Sequence, residues 1–418
     1  MWVCEVRRMS NRTEADVVML VGSGLSVPAG LPRISQITRS VRDGSGAYRH
    51  SCAEYLLGAE WASAGITPGR DPYVEAVTGF LDLLACDFHF PTQASEDDPR
   101  RVERPTYEEL YGVVEQLYNY GFGEHSDPIV RSYKDSVCRR VSPIREYLAA
   151  HRGSSVSCGE LVRETRRYIQ DCVSGLLEAE RDDPTYLSSS LLAISRDVEI
   201  RRLHIFSLNH DTVIEQFLTS QAVQFVDGFV ADSSSGYRSF DASEYDTSPA
   251  KVALYKLHGS VDWRRYVPSR GTREDEKVVS TSVYVSGTEA HSFDEQDKLL
   301  DRLILVGTSN KVADYYRSVY SQLHCRLIDI LDAAPRLLVV GYGFGDRGIN
   351  TRIIHWMDSA MAPKMTVVEP NPSEMLCKTA REAIRQRWAD WQRQKRLVVC
   401  KYGIEHFDWK TVKPYVTS

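Results

Sequence analysis

Asp16-Val17-Val18-Met19-Leu20-Val21-Gly22-Ser23-Gly24-Leu25-Ser26 is the stretch on which the fold turns. Its apolar run, Val17 to Val21, is continuous rather than alternating, which marks a strand covered on both faces, as in parallel sheets. Behind the glycines, Leu31, Ile34, Ile37 and Val41 recur at helical spacing. The unit reads as strand, glycine turn and helix, with a helix N-terminus available to an anion. Without Cβ atoms at Gly22 and Gly24, backbone N–H groups could approach a phosphate closely. A Gly-x-Gly turn alone is a weak signal, since most such turns are structural. Val27 stands at the third glycine position of the dinucleotide pattern.

Working outward, the same unit recurs. Strand-like runs cover 203–208, 252–257, 303–306, 337–340, 365–368 and 397–400, and helical patterns cover 212–220, 312–333, 348–361 and 373–395. Strands alternating with helices predict an α/β fold, a doubly wound, mostly parallel Rossmann-like sheet with a large helical insertion. The insertion is residues 46–196, where helical patterns run over 72–86, 128–150, 160–180 and 185–195, and Thr106 with Glu109 forms a capping box before Leu110, Val113, Val114 and Leu117. The expected organisation is therefore 1–45 with 197–418 as the Rossmann-like domain and 46–196 as an inserted helical module. Segments 231–250 and 264–298 are polar and flank His258, so they read as lid loops or as plain surface loops.

Composition narrows the class. A chain of 418 residues, 42% hydrophobic and 26% charged, has the make-up of an ordinary soluble protein with room for a large core. Its formal net charge of −6 supplies no general attraction to nucleic acid or membranes. Arg7 and Arg8 precede no apolar stretch, and no run approaches a membrane span, so a cytoplasmic protein without a membrane association is expected. Nine dispersed cysteines without a Cys-x-x-Cys pair point to reduced thiols and against a zinc ribbon. The C-terminal helical pattern carries Lys378, Arg381, Arg385, Arg387, Arg393, Lys395 and Arg396 beside Trp388 and Trp391. Such a pattern is more often a solvated face with inward tryptophans, which leaves direct nucleic-acid binding undecided.

Three further turns follow strand-like runs: Leu208-Asn209-His210-Asp211, Lys256-Leu257-His258-Gly259-Ser260 and Gly341-Tyr342-Gly343-Phe344-Gly345-Asp346. Open α/β sheets place ligand chemistry at such strand ends. The Asn209 amide suits ribose hydroxyls or a held water, whereas Asp211 reads equally well as a helix cap. His258 suits a general base, its ordinary pKa being near 6.5, although a lone histidine is more often structural. One strand later, Glu369 and Asn371 stand where acidic or amide groups often hold adenosine ribose hydroxyls.

In this order the four motifs resemble the sirtuin family, whose members cleave the nicotinamide bond of NAD+. The sirtuin run Gly-Ala-Gly-Ile-Ser is similar to Gly22 to Ser26; Gly30 and Pro32 are kept and Arg33 is displaced. Asn209 and Asp211 match the family's Gln-Asn-Ile-Asp, with His210 in place of isoleucine, and His258-Gly259 matches its His-Gly. The extension to Trp263, and the match to Gly-Tyr-x-Phe-x-Asp-x-x-Ile-Asn over 341–350, resemble the sirtuin-like proteins of bacterial defence systems. The resemblance implies a pyrophosphate on Gly22, Ser23, Gly24 and Ser26 with Arg33 nearby, Asn209 at the ribose, and Asp211 at the nicotinamide amide. His258 would be the base, and Gly341, Phe344 and Asp346 would lie beside the adenosine half.

The expected reaction is hydrolysis of NAD+, as substrate, to nicotinamide and ADP-ribose without a metal, because the four cysteines of the deacylase zinc module are missing. A regulated effector of anti-phage (abortive infection) defence is implied, a homo-oligomer with a separate sensor or ATPase partner, HerA-like or Argonaute-type. Three other readings stay open: a deacylase or ADP-ribosyltransferase, a hydrolase of another ADP-ribose derivative, and a non-catalytic nucleotide sensor.

Overall fold

The computed structural model describes residues 15–44, 46–50, 53–57, 71–87, 105–121, 123, 127–178, 182–231, 237–267, 277–281, 298–307, 315, 318–359 and 361–417. Its strands, in chain order, are β1 (Ala15–Val21), β2 (Ala47–Arg49), β3 (Tyr55–Leu57), β4 (Ile200–Ser207), β5 (Phe225–Val226), β6 (Phe229–Ala231) and β7 (Arg238–Phe240). Then follow β8 (Val252–Lys256), β9 (Gly259–Val267), β10 (Lys277–Ser280), β11 (Lys298–Ile304), β12 (Arg336–Val340), β13 (Lys364–Val368) and β14 (Leu397–Cys400). Seven of them form a wholly parallel sheet in the order β14-β13-β12-β1-β4-β8-β5. The fold is α/β and Rossmann-like.

The unbroken apolar run of β1 now has its cause. Val17, Met19 and Val21 face one core with Leu203, Ile205, Val252, Leu254, Leu338 and Val340. Val18 and Leu20 face a second core with Phe206, Ala253, Tyr255, Leu337 and Val339. Successive side chains point to opposite faces, so a central strand with two covered faces has no polar position to spare. Each fully buried aliphatic side chain contributes about 1.5–3 kcal/mol.

The first face is covered by helices Pro72–Asp87, Tyr107–Gly121 and Cys158–Glu178, with Phe80, Leu110 and Ile169 in the shared core, and by helix Trp409–Thr417. Segment 46–196 thus packs in one core with the sheet. It also holds the β2–β3 hairpin. Thr106 and Glu109 make the expected capping box: each backbone N–H donates to the other's side chain, at 3.0 and 3.3 Å. The second face is covered by helices Ser318–Ala333, Arg347–Met357 and Glu382–Arg393. Trp388 and Trp391 are buried there, so the tryptophans of the basic C-terminal helix serve packing.

Several expectations change. No α-helix follows the glycine turn directly: Ser23–Leu25 and Val27–Ala29 are short 3₁₀ turns, and the helix begins only at Ile34, running to Asp43. The 128–150 pattern splits into Pro128–Arg140 and Ser142–Arg152, because Pro143 cannot continue a preceding helix. The 303–306 run lies outside the parallel sheet and contributes to β11 of an antiparallel sheet, β11-β9-β10-β7-β6. That sheet also takes up parts of 231–250 and 264–298, so these are not simple loops; 232–236, 268–276 and 282–297 lie outside the described residues. Cys138 and Cys158 form a disulfide, their Cα atoms 5.6 Å apart, so the reduced state expected of the thiols does not hold for this pair. It ties helix Pro128–Arg140 to the start of Cys158–Glu178.

Candidate active site

From β1 the chain order runs outward to β4 and β8 on one side and to β12, β13 and β14 on the other. The junction of β1 and β12 is therefore a topological switch point, where open α/β sheets bind ligands at the carboxyl edge. The turns after β1, β4, β8 and β12 meet there.

The first and last of these turns touch backbone to backbone. Gly22 N–H donates to Val340 O at 3.0 Å, and Gly24 N–H to Gly341 O at 2.9 Å. A Cβ at Gly22 would lie 2.7 Å from Gly341 O, and one at Gly24 2.8 Å from Gly341 Cα. Both glycines are thus required by the neighbouring turn, which is the structural reading of Gly-x-Gly. Ser23 and Gly24 nevertheless remain exposed at the sheet edge.

Asn209 is 6% exposed and spans two of the turns. Its Nδ2 donates to Gly22 O at 3.1 Å and to Ser26 Oγ at 3.0 Å. A backbone carbonyl can only accept, so the amide orientation follows and Oδ1 points the other way. That Oδ1 is buried without a hydrogen-bond partner. A buried orphan acceptor costs about 1–3 kcal/mol, which an arriving hydroxyl or water would relieve.

Asp211 accepts from Val213 N–H at 3.1 Å, just before the helix Val213–Ser220, whose N-cap position is Thr212. Behind it lies a charged pair that the sequence did not announce: Lys256 and Glu215, 3.1 Å apart, with side chains 3% and 5% exposed. Lys256 also donates to Asp211 O. Burial pushes the Glu215 carboxyl up to about 7, against the pull of Lys256 and with Asp262 and Asp211 adding to the rise. The native state then binds more protons than the unfolded chain between pH 4.5 and about 7. The stability that protonated Glu215 contributes is full below 4.5 and is lost as the pH rises through about 7. Urea unfolding at pH 5 and at pH 7.5 should show this loss, on the order of 3 kcal/mol at most. Glu215→Gln should flatten it, and an unchanged slope in that variant would contradict the assignment.

His258 follows β8 and is 3% exposed. Its Nε2 lies 3.1 Å from Tyr315 Oη and 3.3 Å from Asp346 Oδ2. The ring of His210 stands 6.1 Å from it, centroid to centroid. Gly259, at φ +76, opens β9 by passing against Leu303 O. Tyr315 falls within the helical pattern read over 312–333 and carried no signal of a site there, whereas the helix itself runs from Ser318 to Ala333.

The other expected residues divide. Gly341 has φ +62 and packs on Gly24. Phe344 is fully buried edge-on against Trp388, 5.6 Å between ring centroids, so its side chain belongs to the core rather than to the sheet edge. Arg33 stands exposed before the helix Ile34–Asp43, where its N–H donates to Gln36 Oε1 at 2.8 Å. Glu369 accepts from Asn371 N–H at 2.9 Å, and burial raises its carboxyl above the ordinary value. The side chain of Arg33 acts electrostatically on Glu374, in the helix Pro372–Lys378 that follows Asn371. Arg33, Glu369 and Asn371 thus belong to the β13 end of the edge, separate from the buried cluster around His258.

Residues 203–394 match the family model of the SIR2-like domain. The likeness to that domain covers just under half of the chain. The match begins in β4 and ends just beyond helix Glu382–Arg393, so it takes in Asn209, His258 and Asp346. β1 and its glycine turn lie outside the matched residues, yet β1 pairs with β4 and β12 of the same sheet. SIR2-like domains use NAD+, which fits an NAD-dependent enzyme. No curated protein matches the chain significantly. Among the described residues, no group of three or more His, Cys, Asp or Glu is placed to hold a metal, and no helix is long and apolar enough to cross a membrane.

Proposed function

We propose that the chain hydrolyses NAD+ to nicotinamide and ADP-ribose. The observation that carries this reading is the orphan Oδ1 of Asn209 at the switch point, in a SIR2-like domain that also supplies a strand-end histidine. A lone acceptor suits a ribose hydroxyl or the attacking water, both of which donate. The pyrophosphate would lie against Ser23 and Gly24, the exposed residues of the turn after β1.

Departure of nicotinamide leaves an oxocarbenium-like ribose, and the site contributes orientation and charge stabilisation. Water positioned by Asn209 loses its proton to His258 and forms the new C–O bond, so NAD+ and water give nicotinamide, ADP-ribose and a proton. Asn209 and His258 are both buried here, which suits an enzyme kept shut until triggered. On this reading the chain is a regulated cytoplasmic effector of anti-phage defence, oligomeric, with a separate HerA-like or Argonaute-type partner and with 46–196 as an insertion.

Chromatography after incubation with NAD+ alone tests the reaction. Nicotinamide and ADP-ribose in equal amounts, with no acceptor added, support hydrolysis. Nicotinamide released only when an acylated peptide or a protein acceptor is present would replace it with deacylation or ADP-ribosyl transfer.

A further inference from the structure

Asp346 is held at both oxygens. Oδ1 accepts from Ile349 N–H at 3.0 Å, capping the helix Arg347–Met357, and Oδ2 accepts from the Tyr315 hydroxyl at 2.6 Å. The same Oδ2 lies 3.3 Å from His258 Nε2, and the two side chains are only 8% and 4% exposed. Tyr315 is itself fixed. Its ring stacks on His324 at 3.7 Å and covers Gly348, where a Cβ would come within 2.5 Å of the ring.

Hydrogen bonds donated to a carboxylate favour its ionised form, and an ionised carboxylate favours an N–H on the imidazole nitrogen that faces it. Among the described residues, the groups facing His258 include Asp346, Tyr315, His210 and His324. Burial, with His258 adding to it, pushes the His324 imidazole down to about 3, so that ring is neutral near pH 7.

We propose that Asp346 is a positioning residue that holds His258 with Nε2 protonated, while Tyr315 clamps the carboxylate in place. The basic lone pair of His258 is then on Nδ1. Asp346 acts through His258 and has no contact with adenosine in this role. The consequence for rate rests on the hydrolase reading; the protonation of His258 does not.

The full chain labelled with 15N-histidine is titrated by NMR, His258 being assigned as the signal lost in His258→Gln. Asparagine caps helices as well as aspartate, so Asp346→Asn keeps the cap and removes the charge. In that variant the His258 pKa is expected to fall by about one pH unit, a tenfold loss of proton affinity. Tyr315→Phe keeps the stack on His324 and should shift it less. The acidic limb of the kcat profile moves to lower pH in step, because the base acts unprotonated. An unchanged His258 titration in Asp346→Asn overturns the proposal, even if the parent hydrolyses NAD+. A shifted titration upholds the positioning role whether or not the isolated chain releases nicotinamide.

Discussion

His258→Ala is expected to lower nicotinamide release about 100-fold to 10,000-fold, the range spanned by removing a general base. The argument is geometric before it is chemical. His258 closes β8 at the edge where the turns after β1, β4 and β12 converge, and its ring is held against Tyr315 and Asp346. A merely structural histidine could occupy such a place, so the rate must be read beside stability. Thermal unfolding of the variant separates the two: a folded chain with lost turnover is a catalytic defect. Asn209→Ala should lose about 100-fold to 1,000-fold, as when one preorganised polar group is removed from an acyl-transfer site. Full nicotinamide release by either folded variant would sink the assignment.

The second large effect concerns stability. Gly341→Ala should cost about 3 kcal/mol or more, combining a left-handed backbone with a clash. Gly341 has φ +62, and its Cβ would fall on Leu25 N and within 2.6 Å of Gly24 C. Those atoms are backbone, so no rotamer change can relieve them. Gly153 supplies the control: it has φ +72 and nothing within 4 Å of the added Cβ. Gly153→Ala should therefore cost only the conformational part, about 1–2 kcal/mol. Denaturant midpoints compare the two directly, and equal losses would show that the packing of the β1 and β12 turns is not tight.

The partition between sequence and tertiary structure follows from what each residue reports. An apolar run such as Val17 to Val21 reports its own burial, and the runs at 337–340, 365–368 and 397–400 lie in strands of the parallel sheet, while those at 203–208 and 252–257 overrun β4 and β8 by one residue each. The run at 303–306 has the same composition yet ends an antiparallel strand, because apolar content does not encode strand direction or partner. The short strand β5 and the strands β7 and β10 escaped notice, since two to four residues in polar surroundings carry too little periodicity.

The site divides in the same way. Asn209 and His258 were legible because each is a polar residue at the end of an apolar strand, a local pattern. The sequence by itself determined the buried parallel sheet and the polar residues at its carboxyl edge, through side-chain alternation and strand-end chemistry. Only the tertiary structure decided that Asp346 reaches His258, that Tyr315 bridges them, that Lys256 pairs with Glu215 and that Cys138 meets Cys158. These contacts join residues 20 to 88 positions apart. They depend on strand order and on the packing of distant turns, which no short stretch of chain contains.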